Sequence, residues 1–313
     1  DMRTSAEVPY QLEKKGENSV QNLLIQVELL PLGYREYQIS EGTPSKFTPK
    51  TYCRYVPERK DDFAWENDRV AYRMYGKALE GTNENAFGTD VWTKYVDYLV
   101  IDKWYRLNDY HTDNGEGQDF YKVGFTLGAG DIAPYENDKI WYSNNYRRWK
   151  VLDNGPLRST FVLEYDAWDV NGRQVTANKT ISIDAGSQLN KVEVEYKWNG
   201  EKPLTLVAGL VKRAKPGEIF LDELNGIMAY WEPVYGKSGI VGTTCLFESP
   251  TVMEATSKQI LGQIKLEKPG KLIYYNGAAW DKAGIITSAH AWFAYLSNAK
   301  QNMANPIKIS FKK

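Results

Sequence analysis

Features that mark several common protein classes are scarce in this sequence. Its 313 residues include only two cysteines, Cys53 and Cys245, and both stand in apolar, strand-like surroundings. Two cysteines in such settings give neither a disulfide framework nor a zinc site, so we expect two buried free thiols. No apolar run approaches the ~18 residues that indicate a membrane helix. The sequence therefore predicts neither a small cross-linked fold nor a membrane-spanning helix.

An excess of charge is lacking as well. The 39 Lys+Arg balance 40 Asp+Glu and leave a formal net charge of -1. Proteins that bind nucleic acids or anionic membranes depend on a basic surface field, so we expect no nucleic-acid partner. The first residue is Asp1 rather than Met, a start that fits either a removed export signal or a truncated chain.

Aromatic residues, in contrast, are abundant, with 10 Trp and 22 Tyr. Each of these side chains combines a flat apolar face with a polar edge and suits a half-wetted surface. Sugars have the same dual character, because their C–H faces stack and their hydroxyls form hydrogen bonds. High β propensity is the alternative explanation, and we assign about half of these aromatics to ordinary strand positions. The composition favours a carbohydrate-binding surface.

Apolar and polar residues alternate along most of the chain, and turn signals separate the alternating segments. This pattern predicts an all-β protein. The clearest hairpin joins residues 159–170 to 173–183 through Asn171-Gly172, a strong two-residue turn signal. Asn67-Asp68 predicts a second tight reversal. The other predicted strands cover residues 23–28, 51–56, 63–66, 69–75, 189–198, 204–212, 226–232, 239–248 and 271–279.

Three segments depart from this strand pattern. Residues 287–296 place hydroxyl residues ahead of apolar residues at helical spacing, which predicts a C-terminal helix near residues 288–300. The long stretch from Asp102 to Asn145 is rich in Asp, Asn, Gly and Tyr, and we interpret it as a functional loop. The first ~20 residues are interpreted as an arm or a poorly ordered segment. We find no linker and predict a single domain over residues 1–313.

The chain has two histidines, and each is a candidate base. His290 falls about 200° of helical rotation from Trp292, which lies on the apolar stripe of the predicted helix, so we expect His290 to be a solvated surface residue. His111 lies in a loop with two tyrosines and several carboxylates, and imidazole titrates near neutral pH, which makes it a candidate catalytic base. The alternative is a surface histidine in a turn-rich loop. A structural calcium ion is a further alternative, with ligands from Asp113, Glu116 and Asp119.

Strand alternation gives residues 69–75 two distinct faces. Arg69, Ala71, Arg73 and Tyr75 share one face, opposite the apolar residues between them. Two guanidinium groups beside a tyrosine form a candidate anion-binding floor, because arginine binds carboxylates through paired hydrogen bonds. A surface charge ladder is the alternative.

Several segments together resemble one protein family. The most specific is Val-Pro-Glu-Arg-Lys-Asp-Asp-Phe-Ala-Trp-Glu-Asn-Asp-Arg-Val-Ala-Tyr-Arg-Met-Tyr-Gly at residues 56–76. The others are Asp-Lys-Trp-Tyr (102–105), Tyr-His-Thr-Asp (110–113), Gly-Glu-Gly (115–117), Asp-Phe-Tyr-Lys-Val-Gly (119–124) and Asn-Gly-Pro-Leu-Arg (154–158). The chain resembles, from about residue 20 onward, a bacterial domain-of-unknown-function family of polysaccharide-utilisation loci, DUF4861.

The resemblance implies an exported bacterial protein of polysaccharide breakdown, secreted or periplasmic, with lipid anchoring as a further option. One branch looks like ulvan-type oligosaccharide dehydratases, which remove water from a terminal uronic acid and leave a 4,5-unsaturated residue. The strands from Leu157 onward look similar to galactose-mutarotase-like supersandwiches, a fold analogy. We therefore expect a large antiparallel β-sandwich whose partner is an acidic oligosaccharide, with no cofactor and no catalytic metal.

Under the dehydratase hypothesis, the residues divide into catalytic and binding roles. Arg73, with Arg69 beside it, neutralises the uronate carboxylate, and His111 removes the C5 proton. Tyr110 or Tyr121 protonates the leaving hydroxyl. The residues expected to contact sugar are Trp65, Trp104 and Trp280 by stacking, and Glu66, Glu116, Asp119 and Lys122 by polar contacts.

Three other functions stay open at this point. A glycoside hydrolase needs two carboxylates flanking the scissile bond, and four acids could supply the pair: Glu66, Asp68, Glu116 and Asp119. A non-catalytic glycan-binding protein needs the aromatics and arginines but no base. A structural accessory protein needs neither.

Overall fold

A computed structural model describes residues 1–43 and 45–312. Within these residues the chain forms twenty β-strands and two α-helices, and all pairs between the named strands are antiparallel. The all-β prediction is thereby confirmed. Cys53 and Cys245 are buried free thiols, as expected. In the part of the chain that the structure describes, no helix is long and apolar enough to cross a membrane.

An eight-stranded sheet is the largest layer of the molecule. In spatial order its strands are β10 (Arg148–Asn154), β11 (Arg158–Val170), β12 (Arg173–Asp184), β13 (Leu189–Trp198), β20 (Gly270–Trp280), β17 (Val241–Phe247), β16 (Ile227–Trp231) and β15 (Glu218–Asp222). The predicted hairpin joins β11 to β12. Asn171 and Gly172 have φ angles of 52° and 83°, the left-handed conformations that this type of turn requires.

Two five-stranded sheets and one short hairpin complete the strands. The N-terminal five-stranded sheet has the order β3 (Thr51–Val56), β4 (Asp62–Asn67), β5 (Val70–Met74), β6 (Asp90–Lys94) and β7 (Gly117–Gln118). The second five-stranded sheet has the order β18 (Val252–Ala255), β19 (Gln259–Leu266), β14 (Leu204–Val211), β8 (Ala129–Glu136) and β9 (Lys139–Ile140). The hairpin pairs β1 (Tyr10–Glu13) with β2 (Asn22–Ile25).

Both five-stranded sheets pack on the eight-stranded sheet. Phe161 of β11 stacks on Phe63 of the N-terminal sheet at 4.3 Å between ring centroids. Further along the eight-stranded sheet, the Tyr274 hydroxyl donates a hydrogen bond to the Gly130 carbonyl of β8 at 2.9 Å. The three sheets share one continuous apolar core. The predicted large antiparallel β-sandwich is confirmed.

Helix α2 (Ala289–Ala304) agrees with the predicted C-terminal helix. Ser288 caps its N-terminus, because the side-chain oxygen accepts a hydrogen bond from the Ala291 amide at 3.2 Å. Trp292 and Leu296 are buried against the sheet, whereas His290 is exposed as expected.

Two segments differ from their sequence interpretation. Residues 102–145 do not form one long loop, because they include most of α1 (Ile101–Leu107) and the strands β7, β8 and β9. The N-terminal arm is anchored: the Gln11 side chain accepts hydrogen bonds from the amides of Leu157 and Arg158 at 2.9 and 2.8 Å. Strand β2 ends at Ile25, before the predicted end at residue 28.

Candidate active site

The N-terminal sheet has an inner and an outer face, and strand β5 supplies residues to both. Tyr72 and Met74 belong to the main core, whereas Ala71 packs in a separate outer cluster with Trp92 and residues 100–110. Alternation thus predicted the faces of Ala71, Tyr72 and Met74 correctly, whereas Tyr75, which follows the end of β5, packs in the main core. Helix α1 and the segment after it cover the outer face, which encloses the side chain of Arg73.

Three carboxylates surround Arg73, and we name these four residues the Arg73 centre. An Nη atom lies 2.7 Å from the Asp90 carboxylate, and the carboxylates of Asp62 and Asp119 follow at 3.7 and 3.9 Å. The guanidinium also lies over the Tyr75 ring at 4.5 Å. All four members are buried. The expectation that Arg73 binds a substrate carboxylate is therefore wrong, because its guanidinium is buried and already faces three protein carboxylates.

The Arg73 centre holds three acids and one base, and the pKa values of all three acids are raised. Burial raises the pKa of Asp62 to about 6. Burial also raises the pKa of Asp90, and burial together with the neighbouring Asp90 carboxylate raises the pKa of Asp119 well above its usual range. Two nitrogens of Arg73, one oxygen of Asp62 and the Tyr105 hydroxyl are buried without a hydrogen-bond partner among the described residues. Enclosed polar groups with shifted pKa values are typical of functional sites.

Asp119 links this centre to the surface through His111. The Nδ1 atom of His111 lies 3.4 Å from the Asp119 carboxylate and 3.1 Å from its carbonyl oxygen. The His111 side chain is 60% exposed. The hydrogen bond between Nδ1 and the Asp119 carbonyl oxygen, with the carboxyl group beside it, fixes the orientation of the imidazole. The other nitrogen, Nε2, is thereby left free for a ligand.

Tyr110 and Arg59 lie beside this histidine. The Tyr110 ring stacks on Trp92 at 4.6 Å and is also 4.6 Å from the His111 ring. Its hydroxyl oxygen accepts a hydrogen bond from Nε of Arg59 at 3.0 Å. Because Arg59 is the donor, the Tyr110 proton is left free for another acceptor. The Tyr110 side chain is itself only 3% exposed, so its hydroxyl is a candidate acid next to His111 for a leaving group that reaches below the surface.

Lys122 and Tyr121, next in the chain, have different environments. The Lys122 side chain is exposed and makes no ion pair within the described residues, while its carbonyl oxygen accepts a hydrogen bond from Arg213 at 2.5 Å. Arg213 also pairs with Glu232 at 2.9 Å and covers the Tyr121 ring at 4.7 Å. Burial raises the pKa of Glu232 to about 7. The Tyr121 hydroxyl is enclosed beneath Arg213 and does not reach the surface, so its assignment as the acid is wrong.

None of the three tryptophans expected to stack on sugar has an open face. Trp65 is fully buried and donates a hydrogen bond to Asn190 at 2.9 Å. Trp104 packs on Trp92 at 5.7 Å, and Trp280 is 3% exposed. The prediction of direct stacking is wrong for these residues, because the sheet and α1 cover them.

The exposed aromatic side chains in this region are tyrosines instead of tryptophans. The sequence analysis did not identify them as candidate sugar contacts. Tyr95 stacks on Trp280 at 5.6 Å, and Tyr235 stacks on Phe120, the neighbour of Asp119, at 5.8 Å. Both are about half-exposed, as is Tyr98. We name Tyr95, Tyr98 and Tyr235 the tyrosine platform. No local sequence pattern distinguishes these three residues from the other tyrosines of the chain.

Two predicted acids serve the fold around the site. Glu66 is fully buried, pairs with Lys94 at 2.8 Å and accepts hydrogen bonds from the first amides of α1. Glu116 is held by Lys103 at 2.8 Å and by Trp104 at 3.0 Å. Neither carboxylate is available to a ligand. Their expected polar contacts with sugar are therefore not supported.

Arg69 lies apart from Arg73. The two residues are four positions apart along the chain, which corresponds to ~13 Å at the ordinary rise of a strand. Arg69 instead lines a cleft beside α2. The expected pairing of the two arginines on one substrate group is therefore wrong.

The side chains considered as alternative calcium ligands do not converge. Asp119 points to the Arg73 centre, Glu116 binds Lys103, and Asp113 accepts hydrogen bonds from Tyr95 and the Gly115 amide. Within residues 1–43 and 45–312, no group of three acidic, histidine or cysteine side chains is placed to hold a metal ion.

Fold and site together define a large antiparallel β-sandwich protein in which a buried arginine–carboxylate centre contacts a surface histidine. The chain belongs to the family described as "Domain of unknown function (DUF4861)", whose model matches residues 2–309. The resemblance noted in the sequence is thereby confirmed at the level of the family.

Comparisons with individual proteins add relatives at different distances. "Uncharacterized protein P7" of Formosa agariphila is 30% identical over 337 residues, covering 100% of this chain and 84% of the relative. Among solved structures, a protein described as a kojibiose phosphorylase from the human microbiome has a TM-score of 0.42 at 11% identity. An α-galactosidase from Lactobacillus brevis has a TM-score of 0.39 at 11% identity. The matches cover 83% and 76% of this chain but only 37% and 42% of those two chains.

Proposed function

We propose that this protein acts on acidic oligosaccharides as a carbon–oxygen lyase, a dehydratase that removes water from a terminal uronic acid. The observation that carries the proposal is the contact between His111 and the buried Asp119 carboxyl at 3.4 Å. It holds a base at the surface with one nitrogen free. One branch of the family to which the chain belongs looks like oligosaccharide dehydratases, which supports the same reaction. Export from a bacterial cell remains part of the proposal.

The proposed reaction is an elimination across C4 and C5 of the uronate. Nε2 of His111 takes the C5 proton, and the electron pair of the C5–H bond forms the C4=C5 double bond. The C4–O bond breaks, and the Tyr110 hydroxyl donates a proton to the leaving oxygen, which departs as water. The proton on His111 then restores Tyr110. No external reductant or oxidant is needed, because one molecule of water balances the reaction.

The uronate carboxylate must be neutralised before its neighbouring C–H bond becomes acidic. Lys122 is suited to this role, because its ammonium group is exposed and unpaired among the described residues. Lys122 follows Asp119 by three residues, and its positive charge opposes the rise in the pKa of that carboxyl. Charge that develops on the substrate in the transition state strengthens such an interaction. The tyrosine platform is proposed to stack on the sugars that follow the terminal uronate.

The hydrolase alternative finds less support in the geometry. A hydrolase needs two carboxylates about 5–10 Å apart that flank the scissile bond. Glu66 is enclosed with Lys94, and Asp68 is buried and accepts a hydrogen bond from the Gly186 amide at 2.6 Å. Glu116 and Asp119 are held as described above. None of the four is free to flank a sugar.

The test is an incubation with oligosaccharides that end in a non-reducing uronic acid. A dehydratase yields ultraviolet absorbance from the conjugated product and the loss of one water by mass, with no new reducing end. A hydrolase yields a new reducing end instead, and a binding or structural protein yields none of these signals. If a broad panel of such substrates gives neither absorbance nor mass loss, the dehydratase proposal is rejected.

Two variants separate catalysis from binding in this assay. His111→Ala is expected to lower kcat by roughly 10²- to 10⁴-fold with little change in KM, because a base acts in the transition state. Lys122→Ala is expected to raise KM by roughly tenfold or more, because it removes a charge-assisted contact. Arg106→Ala, which removes an exposed positive charge from α1, is the matched control. Full activity in His111→Ala would show that the base lies elsewhere.

A further inference from the structure

A second cleft lies at the other end of strand β5 from the Arg73 centre. Its volume is about 360 Å³, and it is bordered by Arg69, by the turn that contains Gly186 and Gln188, and by helix α2. Ligand sites in proteins commonly have volumes of ~300–1,000 Å³. The cleft therefore has room for a small ligand, of the order of one or two sugar rings.

The charge of Arg69 is not neutralised by the protein. Its side chain is partly exposed and makes no ion pair within the described residues, unlike Arg73, which faces three carboxylates. A guanidinium that lines a cleft without a protein partner favours an anion, and its planar fork fits a carboxylate. Because Arg69 carries a positive charge that is unpaired among the described residues, the ligand of this cleft is expected to be an anion.

The remaining walls combine apolar and polar groups. Ile285, Ile286 and Ala294 provide an apolar surface, and the Asn298 amide is exposed beside them. The Tyr295 hydroxyl accepts a hydrogen bond from the Gln188 amide at 3.1 Å, so its own proton is free to be donated. Apolar walls that surround a few polar groups are typical of small-ligand sites. A pyranose ring presents matching apolar and hydroxyl edges.

We propose that this cleft binds a uronate residue of an acidic glycan, at a site separate from His111. The requirement for an anion follows from Arg69, whereas the choice of a uronate rests on the proposed function. The site would hold the glycan on the protein without taking part in the elimination.

The experiment is a ligand-observed NMR titration with the methyl glycoside of glucuronic acid. It is carried out in the Lys122→Ala background, which removes the anion contact proposed for the active site. Arg69→Ala is expected to weaken binding about tenfold or more, because it removes a charge-assisted contact. Ala294→Trp, which fills the cleft and leaves the charge unchanged, is expected to abolish binding. Arg106→Ala is the control for the loss of one positive charge.

The outcomes distinguish this site from the proposed function. Binding that is retained in Arg69→Ala or in Ala294→Trp overturns the inference, as does the absence of binding before these changes. Equal affinity for the neutral methyl glucoside, or equal competition by acetate, also overturns it, because a uronate site needs both the anion and the ring. Loss of binding in both cleft variants but not in Arg106→Ala supports it. A wild-type protein that binds in this way but produces no unsaturated sugar would reject only the dehydratase.

Discussion

At the scale of the residue, Arg73 shows how burial determines the role of a charged side chain. Its three carboxylate neighbours lie within 3.9 Å of the guanidinium, and all are buried. A buried ion cluster adds little net stability, but removal of one partner leaves the other charges without compensation. Arg73 therefore supports the position of Asp119, and through it that of His111.

The Arg73→Met variant tests this interpretation. We expect the free energy of unfolding to fall by roughly 3–5 kcal/mol near neutral pH, because the three carboxylates lose the buried cation at the centre of the cluster. Urea unfolding followed by tryptophan fluorescence measures the change. Arg106→Met, at an exposed position on α1, should change stability by less than about 0.5 kcal/mol. Equal stability of the two variants would show that Arg73 is not needed to hold the cluster.

Buried and exposed aromatics should respond differently to truncation. Trp65→Ala is expected to cost roughly 3–5 kcal/mol of unfolding free energy, because it empties a fully buried site between two sheets. Tyr235→Ala removes a half-exposed face and is expected to weaken oligosaccharide binding by roughly 2- to 10-fold while the melting transition stays cooperative. Calorimetric melting and a binding titration on each variant compare the two effects. A Trp65→Ala protein with unchanged stability would contradict its place in the core.

At the scale of the element, the two five-stranded sheets meet at an isolated parallel bridge between Thr89 and Gly128. Gly128 has a φ of +64°, and a Cβ atom there would lie 2.2 Å from the Thr89 carbonyl oxygen. Only glycine fits this junction without a movement of the backbone. The junction fixes β6 and β8 relative to each other.

A pair of glycine substitutions measures the importance of the junction. Gly172→Ala, in the open hairpin turn with φ +83° and no atom within 4 Å of the added Cβ, should cost only about 1–2 kcal/mol. Gly128→Ala adds a backbone clash to the same conformational cost and should destabilise the protein considerably more. Thermal unfolding of the two variants gives the comparison. Equal losses would mean that the junction can adjust without strain.

Local sequence signals predicted some elements of this fold and could not predict others. The Asn171-Gly172 turn and the Ser288 cap are signals within a few residues, and both were identified correctly. Strand β8 was missed because Gly130, Asp131 and Pro134 interrupt its apolar pattern; Asp131 points inward and pairs with Lys179 at 2.6 Å.

The candidate site was predictable to a similar extent. Alternation placed Arg73 on the correct face of β5, and the loop composition singled out His111. No local pattern could show that α1 and the following segment enclose Arg73 or that the sheet covers Trp65. Burial of these residues depends on contacts between elements that are distant in the sequence.

At the scale of the whole molecule, the buried acids set an unusual dependence of stability on pH. Burial raises the pKa of Asp62 to about 6 and that of Glu232 to about 7, whereas unfolded carboxyl groups titrate near 4. Between these values the folded state binds protons that the unfolded state has lost. Stability is therefore expected to fall as the pH rises from about 5 to about 7. The acids whose pKa is lowered, such as Glu58 and Glu84, titrate below this window.

Urea unfolding at about pH 5.5 and about pH 7.5 tests this direction, and the midpoint is expected to be higher at the lower pH. Glu232→Gln removes one of the titrating groups, so the difference between the two midpoints should shrink. A wild-type midpoint that rises with pH over this range would contradict the raised pKa values. Activity is measured as a function of pH in the same protein solutions, so that a change in activity can be compared with the change in stability at each pH.

The protons kept by the Arg73 centre also alter the electrophoretic charge of the protein. The formal value of -1 counts every one of the 40 acids as ionised. Burial raises the pKa of Asp62, in this centre, to about 6 and that of Glu232 to about 7, so in the folded state both acids bind protons at a pH where ordinary carboxyl groups have lost them. The folded protein should therefore focus at a pH above the sequence value of about 6.3, and above its own band in concentrated urea. Since proteins precipitate most readily near zero net charge, these enclosed protons also move the solubility minimum towards neutral pH.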